Sequence, residues 1–250
     1  MVVRKIFKIL GKIVKWTLIV FFSSSILAVL IYKFMPVYIT PLMVTRCVQQ
    51  KMDGQEITMH HHWVPIEEMS EYLPVAVMAS EDQRFLLHDG FDLQAIQEAI
   101  DYNKTHTDRV RGASTISQQT AKNVFLWNGR TWVRKGLETY FTFLIELMWS
   151  KQRIMEVYLN SIEMGNGIYG AQAVAREHFH KDASALTRGE CALIAVTLPN
   201  PRERNSASPT PYLRKRQKQI EHQMKFIPKF PREGEDYDPN TVAGGIYKKK

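Results

Sequence analysis

The sequence predicts a mainly α-helical protein with one transmembrane helix near its start. Trp16 to Tyr32 is an uncharged run of seventeen residues, and the rest of the chain repeats apolar residues at helical spacing far more often than it alternates as strands do. At about 1.5 Å per residue the run reaches roughly 25 Å, a little short of the ~30 Å hydrocarbon core of a bilayer. Ile13, Val14, Phe34 and Met35 extend the apolar span. We therefore expect a membrane anchor over residues 16–35.

Charges beside the apolar run predict its orientation. Residues 1–15 carry five cations and no acid, whereas Lys33, Arg46 and Lys51 are the cations that soon follow the run. A cleaved signal peptide shares the basic start and the apolar middle, but no small-x-small cleavage pattern follows here. The positive-inside rule then makes residues 1–15 a cytoplasmic tail and carries the rest of the chain across the membrane.

The net charge of +8 resides in the two ends of the chain. The five cations of residues 1–15 and the three of Lys248 to Lys250 account for it, and the remaining residues hold 25 basic and 25 acidic side chains. A nucleic-acid-binding protein concentrates Lys and Arg on its folded domain. We exclude that class.

Beyond the anchor the chain divides into a linker over 36–55, a folded domain over 56–227 and a poorly ordered tail over 228–250. Pro36 and Pro41 indicate the linker, and consecutive histidines at 60–62 are interpreted as a solvated run. Thr115, with Gln118 three residues later, predicts a capped helix start. Apolar spacing predicts further helices over 66–69, 71–79, 93–102, 133–150, 151–160, 171–179, 190–198 and 212–226, of which 133–150 is expected to be a core helix.

The segment Glu81 to Asp92 is the strongest candidate for chemistry. It holds four acidic groups, one histidine and two aromatic residues, directly after the apolar run Pro74 to Ala79. A carboxylate in such surroundings is partly desolvated, which raises its pKa toward that of a working base. An acidic helix start on the surface is the alternative. The aromatic residues and His88 recur through the stretch, which favours a site built around the carboxylates.

A second polar cluster begins at Gly112. Its residues Thr115, Gln119 and Lys122 are spaced i, i+4 and i+7, so one helix face would present a hydroxyl, an amide and an ammonium group. Arg134 and Glu138 are also four residues apart. That spacing suits a plain helical ion pair as well as a functional carboxylate beside a cation.

Five segments in order resemble the five motifs of the peptidoglycan glycosyltransferases, most closely those of the monofunctional, membrane-anchored branch. They are Glu81–Asp92, Gly112–Asn123, Arg134–Glu138, Lys151–Asn160 and Leu186–Pro201. Five motifs in the family's order make a specific match. The resemblance implies a two-lobed, lysozyme-like fold that follows the anchor. It also implies an enzyme that polymerises the lipid-linked disaccharide-peptide precursor, lipid II, into glycan strands.

The family's reaction joins a sugar C1, activated as a lipid pyrophosphate, to a 4-hydroxyl with inversion. The resemblance implies that Glu81 is the general base, that Asp82 supports it by hydrogen bonding, and that Lys122 and Arg134 stabilise the leaving pyrophosphate. Glu138 matches the second essential carboxylate. It would orient Arg134, steady positive character at C1, or hold a divalent cation such as Mg²⁺ or Mn²⁺, and the sequence does not separate these roles.

The resemblance also implies further substrate-binding residues and partners. The residues are Phe85, His88, Ser114, Thr115, Gln119, Asn123 and Lys135, with His88 favoured as a structural histidine over a second base. No organic cofactor is expected. The implied location is the cell inner membrane with a periplasmic catalytic domain. The implied partners are lipid II, nascent glycan, the membrane, transpeptidases and proteins of division or elongation.

Some features of the sequence leave room for other interpretations. Trp127 and Trp132 suit a membrane-facing flap, which the family places hereabouts, or a buried satellite core. Ala113, Gln172 and His178 depart from residues common in the family. A lytic enzyme that cuts finished glycan would share the fold and a catalytic Glu but has no need of cations around a pyrophosphate. A non-catalytic scaffold would be free to lose Glu81, Lys122 or Glu138.

Overall fold

The computed structural model describes residues 2–106, 111–129, 131–231 and 235. It divides into two units, Met1–Pro36 and Val37–Lys250. The first unit is helix α1, Val2–Phe34, which runs back through the basic residues that the sequence predicted as a tail. Among the described residues, one helix is long and apolar enough to cross a membrane, and it covers Arg4–Phe34. This finding is compatible with the predicted anchor.

The second unit is mostly helical, as predicted. Its strands are β1 (His60–His61), β2 (Glu163–Gly165) and β3 (Ile168–Tyr169), and short 3₁₀ turns lie at Ile66–Glu68, Phe85–Leu87 and Ala183–Ala185. Its helices are α2 (Pro41–Met52), α3 (Tyr72–Glu81), α4 (Leu93–Thr105), α5 (Ile116–Phe125), α6 (Trp132–Met148), α7 (Lys151–Ser161), α8 (Ala171–Phe179), α9 (Arg188–Thr197) and α10 (Pro211–Gln223).

Helix α2 occupies most of the segment that the sequence predicted as a linker. Thr40 is its N-cap and accepts a hydrogen bond from the backbone N–H of Met43 at 3.2 Å, while Pro41 takes the first helical position. Proline is well suited there because its missing N–H would have no partner inside the helix. Met43 and Gln50 are buried, and α2 packs against α5. Pro41 therefore starts a helix in this segment instead of interrupting one.

The small sheet has the order β1-β3-β2, with β1 parallel and β2 antiparallel to β3. The interpretation of histidines 60–62 as a solvated run was wrong in part, because His60 and His61 form strand β1. His60 and His62 are exposed, but His61 is half-buried and its Nε2 lies 3.0 Å from the backbone oxygen of Asn160. Burial lowers the pKa of His61.

Two groups of helices carry the core. Helix α3 packs against α9, which also packs against α10, and α5 packs against α6 and α7. Buried side chains such as Leu73 and Ile194 fill the first group, and Ile116, Ile145 and Ile154 fill the second. This arrangement is consistent with the predicted lysozyme-like fold. It sets the end of α3 beside α5.

Helix α6 differs from the buried core helix that the sequence predicted over 133–150. Leu144 and Ile145 are buried, but Trp132 is 92% exposed, and Phe143 and Leu147 are also exposed. The helix is apolar around most of its circumference, so its sequence alone does not show which side is covered. Packing against α5 and α7 covers one side and leaves an apolar stripe on the other.

Candidate active site

Glu81 is the last residue of α3, and its carboxylate is held by two hydrogen bonds. Gln119 donates from Nε2 to Oε2 at 3.1 Å, and Ser80 donates from its hydroxyl to Oε1 at 3.0 Å. Burial raises the pKa of Glu81 and outweighs the lowering effect of these bonds. The charge of Asp82 raises that pKa further, and the charge of Lys122 lowers it. The direction of the shift is the one expected for a base.

Asp82 does not have the supporting role that the sequence predicted for it. Its Oδ2 accepts from the backbone N–H of Ile116, the first residue of α5, at 3.0 Å. Its carboxylate also lies 3.0 Å from His88 Nε2, and His88 Nδ1 accepts from the N–H of Gly90 at 3.2 Å. The carboxylate thus joins the loop after α3 to the positive end of α5. The ring nitrogens of His88 are thus engaged within the loop after α3, and a structural role for His88 stays a prediction.

Thr115 is buried and does not present its hydroxyl to a ligand, contrary to the prediction. It is the N-cap of α5, where its oxygen accepts from the N–H of Gln118 and its hydroxyl donates to the carbonyl of Gly90 at 2.7 Å. Gln118 completes the predicted capping box. Gly90 has a φ of 88°, and a Cβ there would lie 2.9 Å from a side-chain carbon of Thr142. The loop after α3 is therefore fixed against α5 and α6.

Phe85, Ser114 and Asn123 differ in their access to the site. Phe85 is fully buried, and the Lys151 ammonium lies 4.6 Å from its ring centroid. Its ring therefore packs the loop after α3 against the core. Ser114 is exposed just before α5, and Asn123 is largely buried at the edge of the cleft described below. The structure thus leaves Ser114 and Asn123 within reach of a ligand and places Phe85 in the core.

Four charged residues form a cation cluster, which we define as Lys122, Arg134, Lys135 and Glu138. Arg134 donates from Nη1 to Glu138 Oε2 at 3.0 Å, and Lys135 donates to Glu138 Oε1. Glu138 is 3% exposed. Arg134 Nε is buried and makes no hydrogen bond within the described residues, so it remains a donor for a ligand. Three cations around one carboxylate give the cluster a net charge of +2.

Lys122 connects this cluster to Glu81. The side chain reaches solvent but lies in a crowded recess, and this burial lowers the pKa of Lys122. Glu138 raises that pKa, Arg134 and Lys135 lower it, and Glu81 raises it. The ammonium group therefore lies in the fields of both carboxylates. The arrangement sets the carboxylate of Glu81 near a cation cluster that can receive an anion.

A cleft of about 240 Å³ adjoins Lys122 and Gln119. Sequence reasoning missed part of its wall, including Arg46 of α2, whose Nε lies 3.3 Å from Glu163 Oε2. Arg46 was overlooked because its helix was predicted as a linker, and Glu163 was not marked by any motif. The other lining residues are Leu42, Asn123, Asn128, Ile162, Leu198, Pro199, Asn200, Pro201 and Arg202.

The residues present do not favour a metal ion. Both oxygens of Glu138 already accept hydrogen bonds from cationic side chains, and a metal ion there would add to a positive cluster. Asp82, His88 and Asp92 bring ligand-type atoms within 4.8 Å of one another. Their oxygen and nitrogen atoms are engaged in the bonds described above and in a bidentate pair of Asp92 with Arg84 at 2.6 and 2.8 Å.

The two tryptophans of the predicted flap are exposed, Trp127 by about half and Trp132 almost fully. Arg130, between them, lies outside the described residues. The buried satellite core that was the alternative is therefore not found for these two side chains. Among the residues that depart from the family's pattern, Gln172 uses its amide to bind Asp182 and the N–H of Ala183.

Comparison with known proteins places the chain among transglycosylases. A family model described as Transglycosylase matches residues 49–225. A protein of Bacteroides thetaiotaomicron named biosynthetic peptidoglycan transglycosylase is 63% identical over 214 residues, covering 86% of each chain. Proteins of the same name are 51% identical in Bdellovibrio bacteriovorus, over 82% of this chain and 83% of that one, and 48% identical in Pseudomonas aeruginosa, over 88% and 93%.

Proposed function

The chain belongs to the transglycosylase family and is a peptidoglycan glycosyltransferase, and we propose that it polymerises glycan strands with Glu81 as general base. The growing glycan would be transferred from its lipid pyrophosphate to the 4-hydroxyl of lipid II, with inversion at C1. One observation carries this proposal. The half-buried Glu81 accepts a hydrogen bond from Gln119, and Lys122, one turn further along α5, belongs to the cation cluster.

As general base, Glu81 takes the proton from the attacking 4-hydroxyl. Its raised pKa, caused by burial, brings the carboxylate closer to the basicity that proton abstraction near neutral pH needs. The bonds from Gln119 and Ser80 hold the carboxylate in one orientation. A single-displacement reaction needs one base on the attacking side, and Glu81 fills this role without a covalent intermediate.

The leaving group is a pyrophosphate anion, which needs positive charge and hydrogen-bond donors. Lys122 and Arg134 supply both, and Nε of Arg134, which has no hydrogen-bond partner within the described part of the chain, supports this assignment. Glu138 orients Arg134 through the bond at 3.0 Å and raises the pKa of Lys122, which keeps the ammonium group charged. A divalent cation at Glu138 stays a prediction. To admit such an ion, the two cationic partners of Glu138 would have to move.

The cellular setting follows from the same proposal. Helix α1 would anchor the chain in the inner membrane with residues 1–15 in the cytoplasm and the catalytic domain in the periplasm, where lipid II and nascent glycan are available. Exposed Trp127 and Trp132 would face the membrane as the predicted flap. Transpeptidases and proteins of division or elongation are the proposed protein partners.

The cation cluster also argues against a lytic enzyme. Cleavage of a glycosidic bond in finished glycan needs a proton donor for the leaving oxygen, because an alkoxide is a poor leaving group. Lys122 of the cluster lowers the pKa of Glu81 against the raising effect of burial, so the cluster opposes a protonated Glu81. It suits a leaving group that departs as an anion.

The test uses the full chain in detergent with lipid II, and glycan products are resolved on a gel. We expect the parent to produce glycan ladders and Glu81→Gln to produce none, with an unchanged melting temperature. Glu67→Gln serves as a control, since Glu67 is an exposed carboxylate in a surface turn. Ladders from Glu81→Gln would refute the assignment of the base. Cleavage of preformed glycan by a parent that makes no ladders would support the lytic alternative.

A further inference from the structure

A buried tyrosine is connected to the proposed base through one glutamine side chain. Tyr158 of α7 is fully buried, and its hydroxyl lies 3.1 Å from Gln119 Oε1. The other end of the same amide, Nε2, lies 3.1 Å from Glu81 Oε2. Three side chains from α7, α5 and α3 thus form one hydrogen-bonded chain that ends on the carboxylate.

The direction of each bond follows from the chemistry of the three groups. An ionised carboxylate only accepts hydrogen bonds, so the NH₂ group of Gln119 must face Glu81. The amide oxygen then faces Tyr158, and the phenol must donate to it. If the amide turned over, its oxygen would lie against the carboxylate and both groups would repel each other.

Tyr158 can donate throughout the working pH range because it stays neutral. Burial raises its pKa well above the ordinary value, and the charges of Glu81 and Asp82 act in the same direction. The groups that face the carboxylate of Glu81 are Ser80 and Asp82 from its own segment, Gln119 and Lys122 from α5, and, through Gln119, the phenol from α7. Among these described neighbours, Tyr158 is the group that fixes the amide of Gln119.

We propose that Tyr158 is a positioning residue for the transfer reaction. Its hydroxyl holds the amide of Gln119 in the one orientation that donates to Glu81, and the amide in turn fixes the carboxylate toward the attacking hydroxyl. This inference rests on the proposed role of Glu81 as the general base. In this proposal Gln119 orients the general base, and Tyr158 of the fourth motif orients Gln119.

Removal of the phenol hydroxyl has a consequence with a defined sign. Without it, the amide of Gln119 is free to turn, and its bond to the ionised form of Glu81 is lost for part of the time. Because that bond lowers the pKa of Glu81, the pKa rises when the bond weakens. The base is then ionised only at higher pH, so the acid side of the pH profile moves upward.

The experiment compares Tyr158→Phe with Tyr169→Phe in the full chain in detergent, with lipid II as substrate. Tyr169 is equally buried, and its hydroxyl makes no hydrogen bond within the described residues, so its variant controls for the loss of a buried phenol oxygen. For Tyr158→Phe we expect kcat to fall about tenfold, KM to change less than about twofold, and the acid limb to rise by about one pH unit. Tyr169→Phe should keep the parental kcat and acid limb.

Two outcomes would overturn the proposal. One is a parental acid limb and kcat in Tyr158→Phe. The other is a fall in kcat with an unmoved acid limb and a lower melting temperature, which indicates a structural role alone. Gln119→Met decides the matter if Tyr158→Phe does not fold. An upward shift of the acid limb in Gln119→Met supports the proposal, and an unmoved limb overturns it, since the phenol would then have nothing to act through.

Failure of the proposed function would look different. A parent protein that forms no glycan from lipid II removes the function itself, and an acid limb that persists in an active Glu81→Gln removes Glu81 as the base. If the parent polymerises and Glu81→Gln does not, parental behaviour of Tyr158→Phe removes only the positioning role. The two levels are therefore separated within one set of variants.

Discussion

Neutralising Glu138 perturbs the cation cluster at its centre. In Glu138→Gln the side chain keeps its shape and one acceptor oxygen but loses the charge that lies between Arg134, Lys135 and Lys122. Of the two cations paired with Glu138, Arg134 is the more buried; its Nη1 lies 3.0 Å from Glu138 Oε2, and the two side chains are 11% and 4% exposed. The change therefore leaves a largely buried guanidinium group without its counter-charge.

The magnitude follows from this burial. Two unit charges 3.0 Å apart attract by about 5 kcal/mol at an effective dielectric constant of 20, and desolvation offsets a large part of that. Loss of one partner from a buried pair costs about 3–5 kcal/mol, and the amide of Gln recovers part of it. We expect a net loss of about 2–3 kcal/mol in transition-state stabilisation, which is roughly a hundredfold fall in kcat/KM.

The pH dependence of Glu138→Gln gives a second readout with a known sign. Glu138 is the charge that raises the pKa of Lys122 most, against the lowering effects of burial, Arg134 and Lys135. Without it the pKa of Lys122 falls further, and the ammonium group loses its proton at lower pH. The alkaline limb of kcat/KM should therefore move to lower pH, whereas the acid limb set by Glu81 should stay close to its parental position.

The assay measures lipid II turnover across the alkaline range, with and without EDTA and added Mg²⁺. Glu156→Gln is the matched control, because Glu156 also pairs with an arginine in its own helix at similar burial, away from the cation cluster. It should lose stability but keep its pH profile. An unmoved alkaline limb in Glu138→Gln would refute the reasoning through Lys122. Loss of parental activity in EDTA, restored by Mg²⁺, would refute the preference for an ion pair over a metal.

Two further predictions concern the framework of the site. Gly170 has a φ of 83°, and in Gly170→Ala the new Cβ would lie 2.6 Å from the carbonyl oxygen of Asn160. We therefore expect urea unfolding to show a free energy of unfolding about 2–4 kcal/mol below that of the parent. Gly136→Ala, whose Cβ meets open space, should match or exceed the parent in stability. Thr115→Ala should lower the free energy of unfolding by about 2–3 kcal/mol and lower kcat, because it removes the cap of α5 and the bond to Gly90. Thr115→Ser should stay near the parent. Equal behaviour of the two Thr115 variants would contradict this.

The sequence predicted the class of fold because its signals are local. Apolar spacing predicts α3, α4 and α6 through α10 close to their observed bounds, and the start of α5 was predicted from the capping box of Thr115 and Gln118. Local signals gave a wrong prediction where one residue type is common in two kinds of structure. Pro41 suited both a linker and the first position of a helix, and it is α2 that forms.

The family and the candidate base could also be predicted from the sequence, because they follow from the order of the motifs and the identity of their residues. Glu81, Lys122, Arg134, Lys135 and Glu138 are brought together as expected. The roles of the neighbouring residues were not within reach. Asp82 and Thr115 carry groups that can bind either a ligand or the backbone, and only the positions of Ile116 and Gly90 in space decide for the backbone.

By itself, then, the sequence determined what depends on neighbours along the chain: the apolar helix near the start, the helical domain and the order of the motifs. The tertiary structure decided what depends on contacts between distant residues. It set the burial that raises the pKa of Glu81, the side of α6 that stays exposed, and the chain of bonds from Tyr158 through Gln119. Tyr158 lies 39 residues from Gln119 and 77 from Glu81, and only packing of α7 against α5 makes it their partner.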